Sequence, residues 1–449
     1  MEYWFRGLIA IPNSTIALVG CVEHNQEMSG QYRIRPWIIW ALGAIGFFFA
    51  FFQRVAPSAM LGDLMRDFQG NAATIGTLSA FYFYAYISLQ VPVGVMADRW
   101  GPRRLMTFAA FLCAAGGYLF ATADTLIVAY VGRLLTGAGA AFFFVCGLKL
   151  VSVWFPPERF AFMSGMIMFI GVAGGIAGQA PVATAVDLVG WRSVVMATAV
   201  GGMVFGILCW LIVIDHPDQL NNRNQPTDHR PTPPIWAGLN LAIRKKQTWV
   251  MAILGAAMSS SLLAFGALWG VPYMMLIYGI SRPEAAASVS LLLLGWALAA
   301  PTVGWISDKT RRRKAPLLIC NFLALGCFSV LIYGPHLSLT VASVLIFLNG
   351  FFSAAMVLCF ATTREHNSSQ AAGSAVAFVN MWVVISGAVL QPIIGWMLDL
   401  QWDGAFVSDV RQFSEAAYKD AFLTLIGAGI IAVIAAFLTR ETYCCQVAS

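Results

Sequence analysis

Charge is what this sequence has least of. Only 11% of its 449 residues are Asp, Glu, Lys or Arg, against 59% hydrophobic, and the mean hydropathy is +0.74. A soluble domain carries about a quarter charged residues, so a chain wrapped in solvated surface is excluded. Acidic residues are missing from the middle of every long apolar run. The nine cysteines show neither ligand spacing nor a disulfide framework, and most of them, such as Cys113, Cys146 and Cys359, sit in apolar runs as small hydrophobes. The tail pair Cys444 and Cys445 suggests no role. There is no glycine-rich nucleotide loop, no metal-ligand spacing and no nucleophile with a base beside it, which argues against an ATP-driven pump, an enzyme or a resident cofactor. The net charge of +6 is then no footprint for nucleic acid; on so apolar a chain it is loop charge facing an anionic lipid surface.

What is present is a series of apolar runs of about 20 residues, the length that crosses a bilayer as a helix. Twelve are expected, at 36–61, 74–96, 104–122, 125–153, 160–186, 191–214, 248–273, 284–306, 315–334, 338–362, 371–398 and 420–439. Asp215 to Gln247 is polar and holds Asn221-Asn-Arg-Asn-Gln-Pro and Pro231-Thr-Pro-Pro, so it reads as a flexible linker. The expected organisation is an N-terminal segment 1–35, a six-helix bundle 36–214, a linker 215–247, a second bundle 248–439 and a tail 440–449. With the N-terminus inside, only Arg66, Arg192, Arg282, Arg411 and Lys419 of the 27 basic residues fall outside, so both ends and the linker are expected in the cytoplasm. Residues 1–27 are mildly apolar but too short to span. A surface segment, a signal-like extension and translation upstream of a start at Met28 all fit, the last best. The sequon Asn13-Ser-Thr is irrelevant to a cytoplasmic segment.

Two charged loops repeat. Gly94-Val-Met-Ala-Asp98-Arg99-Trp-Gly101-Pro-Arg103-Arg104 follows the second run, and Gly304-Trp-Ile-Ser-Asp308-Lys309-Thr-Arg311-Arg-Arg313-Lys314 follows the eighth, roughly 210 residues later. A charged repeat placed alike in two apolar halves indicates a duplicated membrane fold. Gly94 suits close helix approach, and Asp98 suits a helix N-terminus or nearby arginines. With this motif, span count, linker and charge bias, residues 36–440 resemble the major facilitator superfamily. The resemblance implies an all-α fold of twelve transmembrane helices in two pseudo-symmetric six-helix bundles around a central cavity. It also implies that the motif residues Gly94, Asp98, Arg99, Gly101, Arg103 and Arg104, with Gly304, Asp308, Lys309 and Arg313, gate it by latching the outward-open state. The second copy departs at Arg311, where the first has Gly101. The simpler reading of the basic residues is a positive-inside anchor.

Three charges fall inside expected spans, and all are positive: Arg54, Arg133 and Lys149. Charge at membrane depth is costly and points to function. Arg54 and Arg133 each lie about 12 Å along the helix from the outer end, on helices of opposite direction, so they can share a level and clamp an anion. The alternatives are an Arg133 that braces carbonyls between helices and an Arg54 that snorkels outward; Lys149, near the inner end, is best read as snorkelling. Arg54 resembles the substrate arginine of the superfamily's organic-anion branches, the anion:cation symporters and organophosphate antiporters. Arg133-x-x-x-Gly137 resembles its fourth-helix motif. Many proton-coupled symporters of this kind have an acid before the first-helix arginine, where this chain has Gln53. Tyr82, Tyr86 and Gln90 share one helix face and are read as cavity lining, with Asn380 a neutral contact from the second half. Asn349, Trp382, Gln391 and Ser259 to Ser261 are weaker candidates. The fifth run is rich in glycine but lacks the superfamily's antiporter Gly-Pro pair.

The expected function is secondary transport of a small anionic organic solute, in the uptake direction, with a coupling proton or a counter-anion. The partners are that solute and the lipid bilayer of a bacterial inner membrane. A monomer is expected. The alternatives are an exporter of amphipathic compounds and a transporter-like receptor that binds solute without flux.

Overall fold

The computed structural model describes residues 30–156, 159–216, 235–335, 337–407 and 410–445. The expectations for residues 1–27 lie outside the described residues. Twelve helical spans are long and apolar enough to cross a membrane. The first six are Ile34–Asp67, the helix Ala72–Trp100, Pro102–Ala121, Leu126–Trp154, Phe162–Val189 and Trp191–Ile212. The second six are Lys246–Tyr278, Arg282–Thr310, Lys314–Tyr333, Leu339–His366, Ala371–Leu400 and Glu415–Leu438. The chain is an integral, multi-pass membrane protein.

Local chemistry sets the span ends. Asn71 caps the second span by accepting from the Thr74 N–H at 2.8 Å, and Ser281 and Glu284 form a reciprocal capping box at the start of the eighth. The seventh span is 83% buried over its most apolar window, whereas the sixth and ninth are 33% buried, so the former is central and the latter two face lipid. Leu211 and Phe437 accordingly lie exposed on peripheral spans, as lipid-facing residues do.

Several spans are broken, which their apolar runs do not disclose. The first passes through a 3-10 turn, Ala56–Met60, at Pro57 before resuming as Leu61–Asp67. The seventh carries a π-helical stretch, Ser261–Trp269, at the corresponding place in the second half. The fifth breaks at Gly178 and Gln179, and the tenth at Ala354–Met356. The stretch 215–247 also differs from a wholly flexible linker, because Ile235–Ile243 is a helix lying on the eleventh span. Its Ile-Trp-Ala-Gly-Leu-Asn-Leu-Ala-Ile run is apolar enough to pack, a signal that the neighbouring Asn and Pro clusters outweighed.

The duplication is visible in the packing. The fourth span crosses the second where Gly137 meets the Tyr82 carbonyl, and the tenth crosses the eighth where Gly350 meets the Leu292 carbonyl. In both crossings a Cβ would strike backbone that cannot yield. The loops at Gly101 and Arg311, the helix Ile235–Ile243 and the start of the first span share one face, called here the linker face. On the opposite face the two halves are joined by Asp63 and Arg282 at 2.5 Å and by the Asp399 carboxylate on the start of the second span.

Gly137→Ala and Gly350→Ala should each destabilise by about 1–3 kcal/mol, the usual cost of overpacking. Gly201→Ala and Gly326→Ala, where a Cβ meets nothing within 4 Å, should be neutral or slightly stabilising. Thermal unfolding in detergent checks this; equal behaviour of the two pairs would contradict the crossings.

Candidate functional site

The site begins with a missing hydrogen. Pro57 has no N–H to offer the carbonyl four residues earlier, which belongs to Gln53. Inside a membrane that carbonyl must find a donor. Arg133 Nη1 supplies it at 3.0 Å, from the fourth span. Arg133 is 2% exposed, and its Nε and Nη2 have no hydrogen-bond partner. The Gln53 side chain turns away and donates to Thr198 Oγ1 at 3.3 Å.

Arg54, the next residue, is 5% exposed, and its Nε and Nη2 likewise have no hydrogen-bond partner. It lies in an aromatic cage, its guanidinium carbon 4.6 Å from the Phe51 ring centre and 4.9 Å from that of Tyr86. Tyr82 stands against both cations, 5.9 Å from Arg54 and 5.1 Å from Arg133, and its hydroxyl donates to the Ala50 carbonyl at 2.8 Å. Among the described residues no carboxylate pairs with either arginine. Burying an unpaired guanidinium costs several kcal/mol. A desolvated aromatic face returns about 2 kcal/mol. The deficit favours a counter-anion. The snorkelling alternative for Arg54 does not hold here, because its side chain ends in the cage.

One helical turn beyond Tyr86, Gln90 lines a cavity of about 610 Å³. Asn380 of the eleventh span donates to Gln90 Oε1 at 3.1 Å across it. Phe144, Met168, Ser374 and Leu239 of the linker helix complete much of the wall, and among the described residues none that lines it is charged. Gly94 and Gly373 place its mouth at the linker face. The structure thus brings Tyr82, Tyr86, Arg54 and Arg133 into one cluster, and Gln90 with Asn380 into the cavity beside it. Asn349 lies elsewhere, donating to the Ala324 carbonyl at 3.0 Å.

The two motif loops share a positive-φ residue and an acid cap. Gly101 has φ +77° and ψ 152°, which glycine meets without strain, while Arg311, at the matching place, takes a left-handed φ +50° and ψ 37°. An acid then caps the following helix: Asp215 accepts from the Arg103 N–H at 2.7 Å, and Glu441 accepts from the N–H groups of Arg313 and Lys314 at 2.7 and 3.0 Å. Arg313 is buried and joins Asp308 and Glu365, both at 2.7 Å. Arg103 lies over Trp210, and Lys309 over Trp305, both at 4.7 Å. Arg99 and Arg104 are exposed. The close helix approach expected at Gly94 is absent, since a Cβ there, as at Gly304, would meet nothing within 4 Å. Gly94 faces the open cavity mouth instead. The Asp98 side chain lies outside the described residues. Asp215, Glu365 and Glu441 were not singled out by sequence, although an acid just past the sixth and twelfth spans is itself a repeat signal.

A twelve-span membrane protein built from two like halves, with a cavity between them at the linker face, has the architecture of a solute transporter. Comparison with known proteins names the kind. The Major Facilitator Superfamily family model matches residues 43–392 and 257–442, and the chain belongs to that superfamily. It is 20% identical over 393 residues to the probable sulfoacetate transporter SauU of Cupriavidus necator, covering 83% of this chain and 89% of that one. It is 27% identical over 164 residues to the uncharacterized transporter YybO of Bacillus subtilis, covering 36% of this chain and only 37% of YybO. In fold it is similar to a bacterial homologue of the human lysosomal transporter Spinster in an inward-facing, unoccupied conformation. The TM-score is 0.72 at 17% identity, over 92% of this chain and 97% of that one.

Glu441 yields a pH prediction. Burial pushes its carboxyl up, but four backbone N–H groups outweigh that and hold it below its ordinary value of 4.5. A depressed folded-state value means that the tail clasp is complete above about pH 4.5 and is lost as pH falls below it. Limited proteolysis at Arg440 should therefore accelerate below pH 4.5, and Glu441→Gln should cleave faster at neutral pH. Unchanged cleavage in both cases would refute the clasp.

Proposed function

We propose that this chain takes up a small organic anion by alternating access, with Arg54 holding the anionic group. The observation that carries the reading is the Arg54 guanidinium, buried among Phe51, Tyr82 and Tyr86 with Nε and Nη2 unpartnered. Those two nitrogens form one edge of the guanidinium fork and match the two oxygens of a carboxylate or sulfonate. Arg133 adds a second positive charge while bracing Gln53. Tyr82 and Tyr86 wall the anion, and Gln90 and Asn380 meet its uncharged portion. SauU, a relative named for an anion, supports the class without fixing the solute.

In this reading the bundles are residues 36–214 and 248–439, and the linker face is cytoplasmic in a bacterial inner membrane, as the charge bias favours. The cavity is then open inward, and Gly94, Asp98, Arg99, Gly101, Arg103 and Arg104, with Gly304, Asp308, Lys309 and Arg313, serve the inner gate. The protein works as a monomer, with a proton or a counter-anion as the coupled species.

The test is thermal stabilisation by a panel of carboxylates and sulfonates, followed by flux of the best one in proteoliposomes. Arg54→Ala should abolish stabilisation and raise the apparent KM roughly tenfold or more. Arg54→Lys should recover only part, having lost the fork. Normal transport of an anion by both variants would defeat the proposal. Stabilisation of both forms by neutral or cationic amphipaths would point to the exporter, and binding without flux to a receptor.

A further inference from the structure

We propose that Asp399 is a positioning residue for transport, which holds the face opposite the linker closed by capping a helix of the other half. The inference is independent of the solute and of Arg54. The second span runs toward the linker face and the eleventh runs away from it, so the two pack antiparallel. A helix leaves its first N–H groups without partners inside the helix. At the start of the second span, Thr74 is answered by Asn71 of its own chain end. Ala72 and Ala73 are answered from the other half, by Asp399 Oδ1 at 3.0 Å and Oδ2 at 2.7 Å. A carboxylate there also meets the positive end of the helix dipole.

The residues around it serve the same contact. Arg411, from the second of two short antiparallel strands after the eleventh span, Phe406–Val407 and Val410–Arg411, pairs with Asp399 at 3.2 Å and stacks 4.1 Å over Trp402. Gly395, one turn before Asp399, lies against the Ala72 carbonyl, and a Cβ on Gly76 would come within 2.5 Å of the Gln391 carbonyl. Two glycines thus let the helices touch backbone to backbone where the acid reaches across. Transport requires this contact to break when the opposite face opens and to re-form when it shuts.

The test uses full-length protein in detergent with two reporters. Val271→Cys lies 1% exposed beneath the sealed face, and Ser374→Cys lies in the cavity at the linker face. Alkylation by a soluble maleimide is corrected for the native cysteines. Asp399→Asn should speed reaction at Val271→Cys on the order of fivefold and slow it at Ser374→Cys, because one state gains what the other loses. Gly395→Ala should do the same without a change of charge, and Arg411→Gln should do so more weakly. A merely structural role would speed both reporters or neither, and that result would overturn the proposal. Should Asp399→Asn not fold, Arg411→Gln decides: opposite changes at the two reporters support the latch, and unchanged rates refute it.

Discussion

Inside a bilayer each carbonyl must be answered by the protein itself, and the architecture of this chain follows from how its broken helices meet that demand. Pro57 orphans the Gln53 carbonyl, and Arg133 answers it. The π-helical stretch of the seventh span presents the Leu263 and Gly266 carbonyls, which Gln391 and Gln179 answer at 2.6 and 2.7 Å. All three donors come from another span, and Gln179 from the opposite half, so the breaks bind the bundle together. The first break also fixes the charge: Arg54 immediately precedes the turn, and its neighbour's carbonyl holds Arg133 beside it.

Mobility is arranged around rigid crossings. Within each half, Gly137 and Gly350 press backbone on backbone, which locks the fourth span to the second and the tenth to the eighth. Between the halves, Asp63 with Arg282, Asp399 with the second span and Asn380 with Gln90 make polar contacts. They flank one close approach of the second and eleventh spans at Gly76 and Gly395. Polar contacts near water are cheap to exchange. Bodies that stay intact and an interface that changes partners are what rigid-body rocking about a central cavity requires.

The twelve spans, the duplicated loops and the buried arginines were legible because each departs sharply from background: length, repetition, and charge where charge is costly. Arg54 and Arg133 could be named from their depth alone. That Tyr82 would sit against both of them, or that Gln90 would meet Asn380, depends on tertiary contact between distant stretches, which helical periodicity does not encode. The breaks were less legible. Pro57 is visible in sequence, but a proline in a membrane helix has several outcomes, and the π stretch at Ser261 has no residue that demands it. Asp399 went unremarked because an acid at a span end looks like an ordinary surface residue; its reach to Ala72 and Ala73 exists only once two glycines bring the helices together.

The placement of acids bears on energetics. Among the described residues every Asp and Glu of the spans lies toward an end, while Arg54 and Arg133 lie deep. The core is therefore uniformly positive when empty. A symporter of the usual kind would discharge part of this by a neighbouring carboxylate, and Gln53, hydrogen-bonded to Thr198, cannot take that part. In the proposed reading the solute itself is the counter-charge, so the occupied carrier buries less net charge than the empty one. Closing the cavity around an anion then relieves a cost of several kcal/mol that closing it empty incurs. That difference alone would make the loaded form the one that changes face more readily, and it gives exchange of one anion for another a physical basis in the residues of the first and fourth spans.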